Sequence, residues 1–108
     1  MSRRSFTIRR RAARDLSRQA AWFAREAGAD VAKRFLIAAQ ESFGDLAGTP
    51  GLGAPVQRER PRTGEVRKWR IRGFPDLRIF YAERPGGGVA VIRVLHAAQD
   101  WMRELDMP

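Results

Sequence analysis

The chain has 108 residues, and its 21 Lys or Arg against 12 Asp or Glu leave a formal net charge of +9. With no cysteine and a single histidine, His96, it has no disulfide framework, thiol nucleophile, Cys-ligated zinc site or pair of imidazoles, and no cofactor or metal is expected. A basic start at Met1-Ser2-Arg3-Arg4 lacks the apolar run of a secretory signal, and no apolar stretch is long enough to span a bilayer, so one cytoplasmic domain over residues 1–108 without membrane contact is expected.

Phe6 and Ile8 alternate with Thr7 and Arg9, the period of a short strand. From about Arg10, the spacing of Ala13, Leu16, Ala20, Phe23 and Ala27 predicts a helix with one narrow apolar stripe. Gly28 ends it, and Asp30 is the expected N-cap of a second helix with Ala32, Phe35, Ala39, Phe43 and Leu46 as its stripe. The connection is short, so the two helices should fold back as an antiparallel hairpin. Gly48, Pro50, Gly51, Gly53 and Pro55 then open a long loop, which continues through Arg58, Arg60, Pro61 and Arg62 to Gly64.

Strands follow. In 66–72, Arg67, Trp69 and Ile71 fall on one face and Val66, Lys68, Arg70 and Arg72 on the other. Gly73 to Asp76 is read as a turn, and 77–82 as a strand with Leu77, Ile79 and Tyr81 opposite Arg78, Phe80 and Ala82. Pro85-Gly86-Gly87-Gly88 is a hairpin loop. The β-branched run 89–95 predicts a central strand with a covered face, and 97–105 closes as a short C-terminal helix. The expected class is α+β: an N-terminal strand and a helical hairpin packed on a mainly antiparallel sheet, with a short C-terminal helix.

The charge surplus predicts an anionic partner, either nucleic acid or an acidic protein segment. All basic residues but Lys33 and Lys68 are Arg, the side chain of bidentate carboxylate and phosphate recognition. Arg67, Lys68, Arg70, Arg72 and Arg78 interleave with Trp69, Phe74 and Tyr81, a mixture that suits unstacked RNA, an acidic peptide laid along the sheet, or a solvated strand face above core aromatics. Arg93 lies in an apolar strand and by strict alternation shares a face with Val91 and Leu95, with His96 beside Ile92 and Val94. It either contacts phosphate or pairs with a carboxylate such as Asp100 or Glu104. His96 is either a proton-transfer group or a hydrogen-bonded structural residue.

The run Leu77-Arg78-Ile79-Phe80-Tyr81-Ala82, the Gly-rich turn and then Ile92-Arg93-Val94-Leu95-His96-Ala97-Ala98-Gln99-Asp100 resemble the ParE branch of the RelE/ParE toxins. Ala13-x-Asp15-Leu16, Trp22-Phe23, Ala32-x-x-Phe35 and Pro50-x-Leu52-Gly53 agree. Gln19, Gln99 and the Arg-rich segment from Arg58 to Arg62 depart from the usual pattern. The resemblance implies the toxin of a type II toxin–antitoxin module. Its partner would be a ParD-like antitoxin whose acidic C-terminal segment wraps the toxin, leaving DNA contact mainly to the antitoxin. It further implies inhibition of DNA gyrase by binding, without an active site.

Members of the RelE branch instead cleave mRNA and use a C-terminal Tyr, which this chain lacks after Tyr81. As an endonuclease it would rely on Arg70, Arg78, Tyr81, Arg93 and His96. A plain basic nucleic-acid-binding domain is a third reading, weakened by the absence of a recognition-helix arrangement of Arg. The antitoxin is expected on Trp22, Arg67, Arg78 and Arg93, and the target on Trp101 and Arg103. Trp22 lies well off the Leu16–Phe23 stripe, which makes it either a second-layer core contact or an exposed anchor.

Overall fold

The computed structural model describes residues 5–56, 65–99 and 101–106. The Arg-rich part of the expected loop, from Arg58 to Gly64, and Asp100 lie outside them. The described elements are β1 (Phe6–Ile8), α1 (Arg10–Glu26), α2 (Ala29–Gly48), a 3-10 turn at Pro50–Leu52, β2 (Ala54–Pro55), β3 (Arg67–Ile71), β4 (Phe74–Glu83), β5 (Val89–His96) and α3 (Trp101–Asp106). Five strands form one sheet in the order β1-β5-β4-β3-β2. Only β1 and β5 run parallel, with Phe6 opposite Val89, and the other neighbours are antiparallel. The α+β architecture read from the sequence is the one observed.

The helical hairpin covers one face of the sheet. Ala12 and Leu16 of α1 and Phe35, Ala39, Phe43 and Leu46 of α2 pack on Ile71, Leu77, Ile79, Tyr81, Val89, Val91 and Val94. The α2 stripe is the predicted one. On α1 the stripe lies one residue away from its expected start: Ala12 is buried while Ala13 and Ala27 are exposed. Two adjacent alanines contribute equally to a periodic pattern, and only the direction from which the sheet arrives selects between them. Gly28 makes the corner with φ +106°, a conformation that costs a Cβ-bearing residue strain. Gly28 is itself the N-cap of α2. Asp30, expected there, stands in the first helical turn, where its charge still favours the positive helix end.

The opposite face carries a smaller core of Val56, Val66, Phe80 and Leu95, with Ile92 and Leu105 packed against it. Phe80 is buried on this face, whereas Trp69 is partly buried against the main core. The turn between β3 and β4 is tighter than predicted. Arg72 and Gly73 alone make it, with Gly73 at φ +81°. Phe74 to Asp76 already belong to β4. Pro75 is tolerated there because pairing with β5 starts only at Leu77. A strand at Ala54–Pro55, too short for any periodicity, was expected as loop.

The β5 pattern departs from simple alternation. Phe80 is opposite Arg93 and Tyr81 opposite Val91, so Ile92 is the extra residue of a bulge. In consequence Val91 and Val94 enter the main core, while Ile92 and Leu95 join the smaller one. The face assignment expected for Arg93 and His96 is therefore corrected: Arg93 does not share one face with both Val91 and Leu95.

Candidate functional site

A cleft of about 810 Å³ runs between α1 and the ends of β4 and β5. Arg14, Arg18, Trp22 and Arg25 of α1 form one wall, and Phe74 to Leu77 of β4 with Val94 to His96 of β5 form the other. Trp22 is 48% exposed. Its ring meets Phe23 edge-on at 5.4 Å, and Phe23 in turn packs on Phe35 and Phe74, each at 5.2 Å between ring centres. An exposed aromatic thus stands on rigid core aromatics, an arrangement that presents apolar area to a partner with little side-chain entropy to lose.

At the base of the cleft lies a buried ion pair. Arg93 donates from Nε to Asp15 Oδ2 at 2.7 Å and from Nη2 to Asp15 Oδ1 at 3.0 Å, and both side chains are 9% exposed. This fork-to-fork geometry is the strongest form of the Arg–carboxylate bond. The Asp15 hydrogen bond pushes the Arg93 pKa further up, against the opposing effect of burial. The second Asp15 function is to extend the sheet edge. Pairing of β1 on β5 ends where Arg9 N–H donates to Val91, and the Val94 N–H beyond it donates to Asp15 Oδ2 at 2.9 Å. Glu104 of α3 completes the network at 3.3 Å from Arg93 Nη1 and 3.8 Å from Arg11. Glu104 was one of the two carboxylates expected from sequence; Asp15, the principal partner, was not singled out for this role. The signal available for it was Asp15 beside Leu16 in the family-like helix opening.

With Arg93 and Arg11 engaged, Arg14, Arg18 and Arg25 are the cleft cations without an ion-pair partner among the described residues. Asp76 is the acid on the facing wall. The cleft is therefore basic around an aromatic anchor. None of Arg14, Arg18 and Arg25 was singled out by the sequence reading, although their spacing with Trp22 (four, four and three residues) places them along one side of a helix.

The other expected site residues are dispersed. Arg70 and Arg78 are cross-strand partners, Arg70 lying over the Trp69 ring at 5.4 Å and Arg78 donating to the carbonyls of Pro75 and Leu77. Arg67 donates to Gly53 at 2.6 Å and pairs with Glu65 at 2.8 Å, away from the cleft. His96 is exposed at the cleft rim, its Nδ1 accepting from Ala98 N–H at 3.0 Å. Trp101 begins α3 and Arg103 is exposed on it. Among the described residues no group of three or more acidic, His or Cys side chains is placed to hold a metal, and no helix is long and apolar enough to cross a membrane.

Tyr81 is wholly buried in the main core. Its hydroxyl accepts from Gly53 N–H at 2.8 Å and donates to Pro50 at 2.7 Å, clasping the segment that follows α2. Burial raises its pKa above the ordinary 10.0, outweighing the Gly53 hydrogen bond and Arg67. A raised acid pKa means the folded state holds the proton after the unfolded chain has released it. The stabilisation is present in full below pH 10 and is lost as pH rises through the folded value. Chemical denaturation between pH 8 and 11 should show stability falling above about pH 10, with the fall reduced in Tyr81→Phe. An equal fall in the variant would assign it to other groups.

A comparison with curated protein sequences finds no match. Among solved structures, a chain of the chromosomal ParDE toxin–antitoxin system from P. aeruginosa superposes with a TM-score of 0.67 at 17% identity, covering 85% of this chain and 94% of that one. This likeness establishes the fold. The family model described as the ParE toxin of the type II toxin–antitoxin system parDE matches residues 6–101, nearly the whole span from β1 to the start of α3. The chain belongs to the ParE toxin family of type II toxin–antitoxin systems.

Proposed function

We propose that this toxin acts in the cytoplasm as a non-enzymatic inhibitor that binds DNA gyrase, and that a ParD-like antitoxin neutralises it by laying an acidic C-terminal segment into the cleft beside α1. The observation that carries the non-enzymatic reading is the dispersal of the residues an mRNA endonuclease would need. The Tyr81 hydroxyl is sealed in the core with both hydrogen-bonding directions used. Arg93 is committed to Asp15, Arg70 lies over the Trp69 ring on β3, and Arg78, although next to the cross-strand partner of His96, spends its guanidinium on the carbonyls of Pro75 and Leu77. Proton transfer requires a base within hydrogen-bond reach of the reacting hydroxyl, and these side chains do not converge on one point. Binding, in contrast, needs surface, and α3, with Trp101 and the exposed Arg103, is the element assigned to the target in this reading.

The test is a gyrase supercoiling assay with purified toxin, with and without antitoxin, beside primer extension on cellular mRNA after induction. Inhibition of supercoiling and relief by antitoxin support the reading. Site-specific mRNA cleavage with supercoiling untouched replaces it by the endonuclease.

The antitoxin half of the reading rests on the exposed Trp22 among unpaired arginines. An acidic, partly disordered segment is steered to such a surface and folds on it. Trp22→Ala should weaken antitoxin binding at least tenfold, about 1.4 kcal/mol, while lowering the toxin's melting temperature only slightly. Calorimetry on the toxin alone and titration with antitoxin separate the two effects. Unchanged affinity with a large thermal loss would make Trp22 a core residue.

A further inference from the structure

The basic wall that Arg14, Arg18 and Arg25 give the cleft continues over the outer crest of α1 to Arg10, which the cleft does not include. At about 100° per residue, Ala12, Leu16 and Phe23 point towards the core, and the direction opposite them is occupied by Arg10, Arg14, Arg18 and Arg25 within an arc of roughly 80°. Ala21 lies within that arc and Ser17 and Ala24 on its flank, all three exposed. Asp15 and Glu26, the acids of α1, lie outside that arc. None of the four arginines has an ion-pair partner among the described residues. Arg10, Arg14 and Arg18 recur every four residues, so successive guanidinium groups are carried about 6 Å apart along the axis.

We propose that this crest binds the phosphodiester backbone of duplex nucleic acid, so that the toxin contributes phosphate contacts of its own. Shape decides between the two anionic partners. Peptides dock in grooves or on strand edges, and the concave cleft next to the crest meets that need. The crest is convex, a charged rod with only small side chains between its arginines, and a duplex offers grooves walled by phosphates on both sides. Guanidinium groups bind phosphate oxygens by two parallel N–H bonds. No residue of the crest reads bases, so the binding is independent of sequence.

The experiment is the salt dependence of binding of the full-length toxin, alone and in complex with its antitoxin, to 20-base-pair DNA and RNA duplexes of arbitrary sequence. Four phosphates neutralised by four arginines give a slope of log K against log salt of about −3.6, at about −0.9 per phosphate on duplex DNA. For the toxin alone, Arg10→Ala/Arg14→Ala/Arg18→Ala should flatten the slope by about 2.7. Lys33→Ala/Arg34→Ala/Arg72→Ala removes the same charge elsewhere and should leave it. Arg14 and Arg18 also line the cleft, so Arg10→Ala/Ser17→Glu is the separating variant: its sites are outside the cleft, and it should weaken duplex binding while antitoxin affinity holds. Comparison of the two duplexes identifies which nucleic acid supplies the phosphate. Equal losses in the two triple variants would assign binding to net charge and overturn the proposal. So would an absence of duplex binding at low salt, or a crest variant that loses only a polyglutamate peptide.

Discussion

Asp15→Ala is expected to be the most damaging single substitution on the polar side of the fold. It removes the carboxylate that holds Arg93 at 2.7 Å and the Val94 N–H at 2.9 Å. The residue left behind is a guanidinium only 9% exposed, with the more exposed Glu104 at 3.3 Å as its one remaining ion-pair partner among the described residues. Breaking a buried pair from one side typically costs about 3–5 kcal/mol, because the surviving charge keeps its desolvation penalty. The melting temperature should fall by more than about 10 °C. Replacing both partners, as Asp15→Ala/Arg93→Met, should recover part of the loss, since the stranded charge is then gone. A urea titration of the three variants measures this. A loss below about 1 kcal/mol in Asp15→Ala, the range of an exposed pair, would show that Arg93 escapes to water.

The second large effect belongs to Gly53. A Cβ at this position would lie 2.6 Å from both the Tyr81 hydroxyl and the Lys68 carbonyl, and the latter is backbone paired in the sheet. Relief must come from Tyr81, whose hydroxyl would then lose Gly53 N–H and Pro50. Overpacking costs about 1–3 kcal/mol, and an orphaned buried hydroxyl about as much again. Gly53→Ala is thus expected to lose about 3 kcal/mol, although φ at Gly53 is −76° and suits alanine. In Tyr81→Phe, where the hydroxyl is already absent, adding Gly53→Ala should cost visibly less than in the wild type. Equal costs in the two backgrounds would place the collision at the Lys68 carbonyl and at the ring edge of residue 81, whose Cε1 would lie 2.8 Å from the new Cβ.

These two sites show what could and could not be read from the chain. Helices and strands were legible where burial follows a period: Phe35, Ala39, Phe43 and Leu46 mark α2, and Leu77, Ile79 and Tyr81 mark the core face of β4. Corners were legible where backbone geometry demands glycine, as at Gly28 and in the turn at Gly86 to Gly88. The bulge at Ile92 was not, because a residue inserted into an all-apolar run leaves the pattern unchanged. The family-like motifs located Arg93 and Tyr81 but not their tasks. Asp15 and Arg93 are separated by 78 residues, and Tyr81 is 28 residues from Gly53. No local spacing reports such pairs. Trp22 was legible as an outlier of its stripe, and the structure exposes it. The cleft around it, assembled from α1 and two strand ends, exists only after folding.

The parallel pairing of β1 with β5 also governs when the toxin comes into being. Everything N-terminal to β5 leaves the ribosome first, at about 5–20 residues per second. During that interval the α1–α2 hairpin has no complete sheet to cover, since β5 is the strand between β1 and β4. Phe6 has no Val89 to join, and Asp15 has no Arg93 to hold. Contacts this remote in sequence close late, so the last strand made is the one that locks the whole sheet. A nascent chain therefore cannot close its sheet until β5 has left the ribosome. A stop codon before Arg93 is expected to leave a chain in which β1 and β4 have no complete strand to join them.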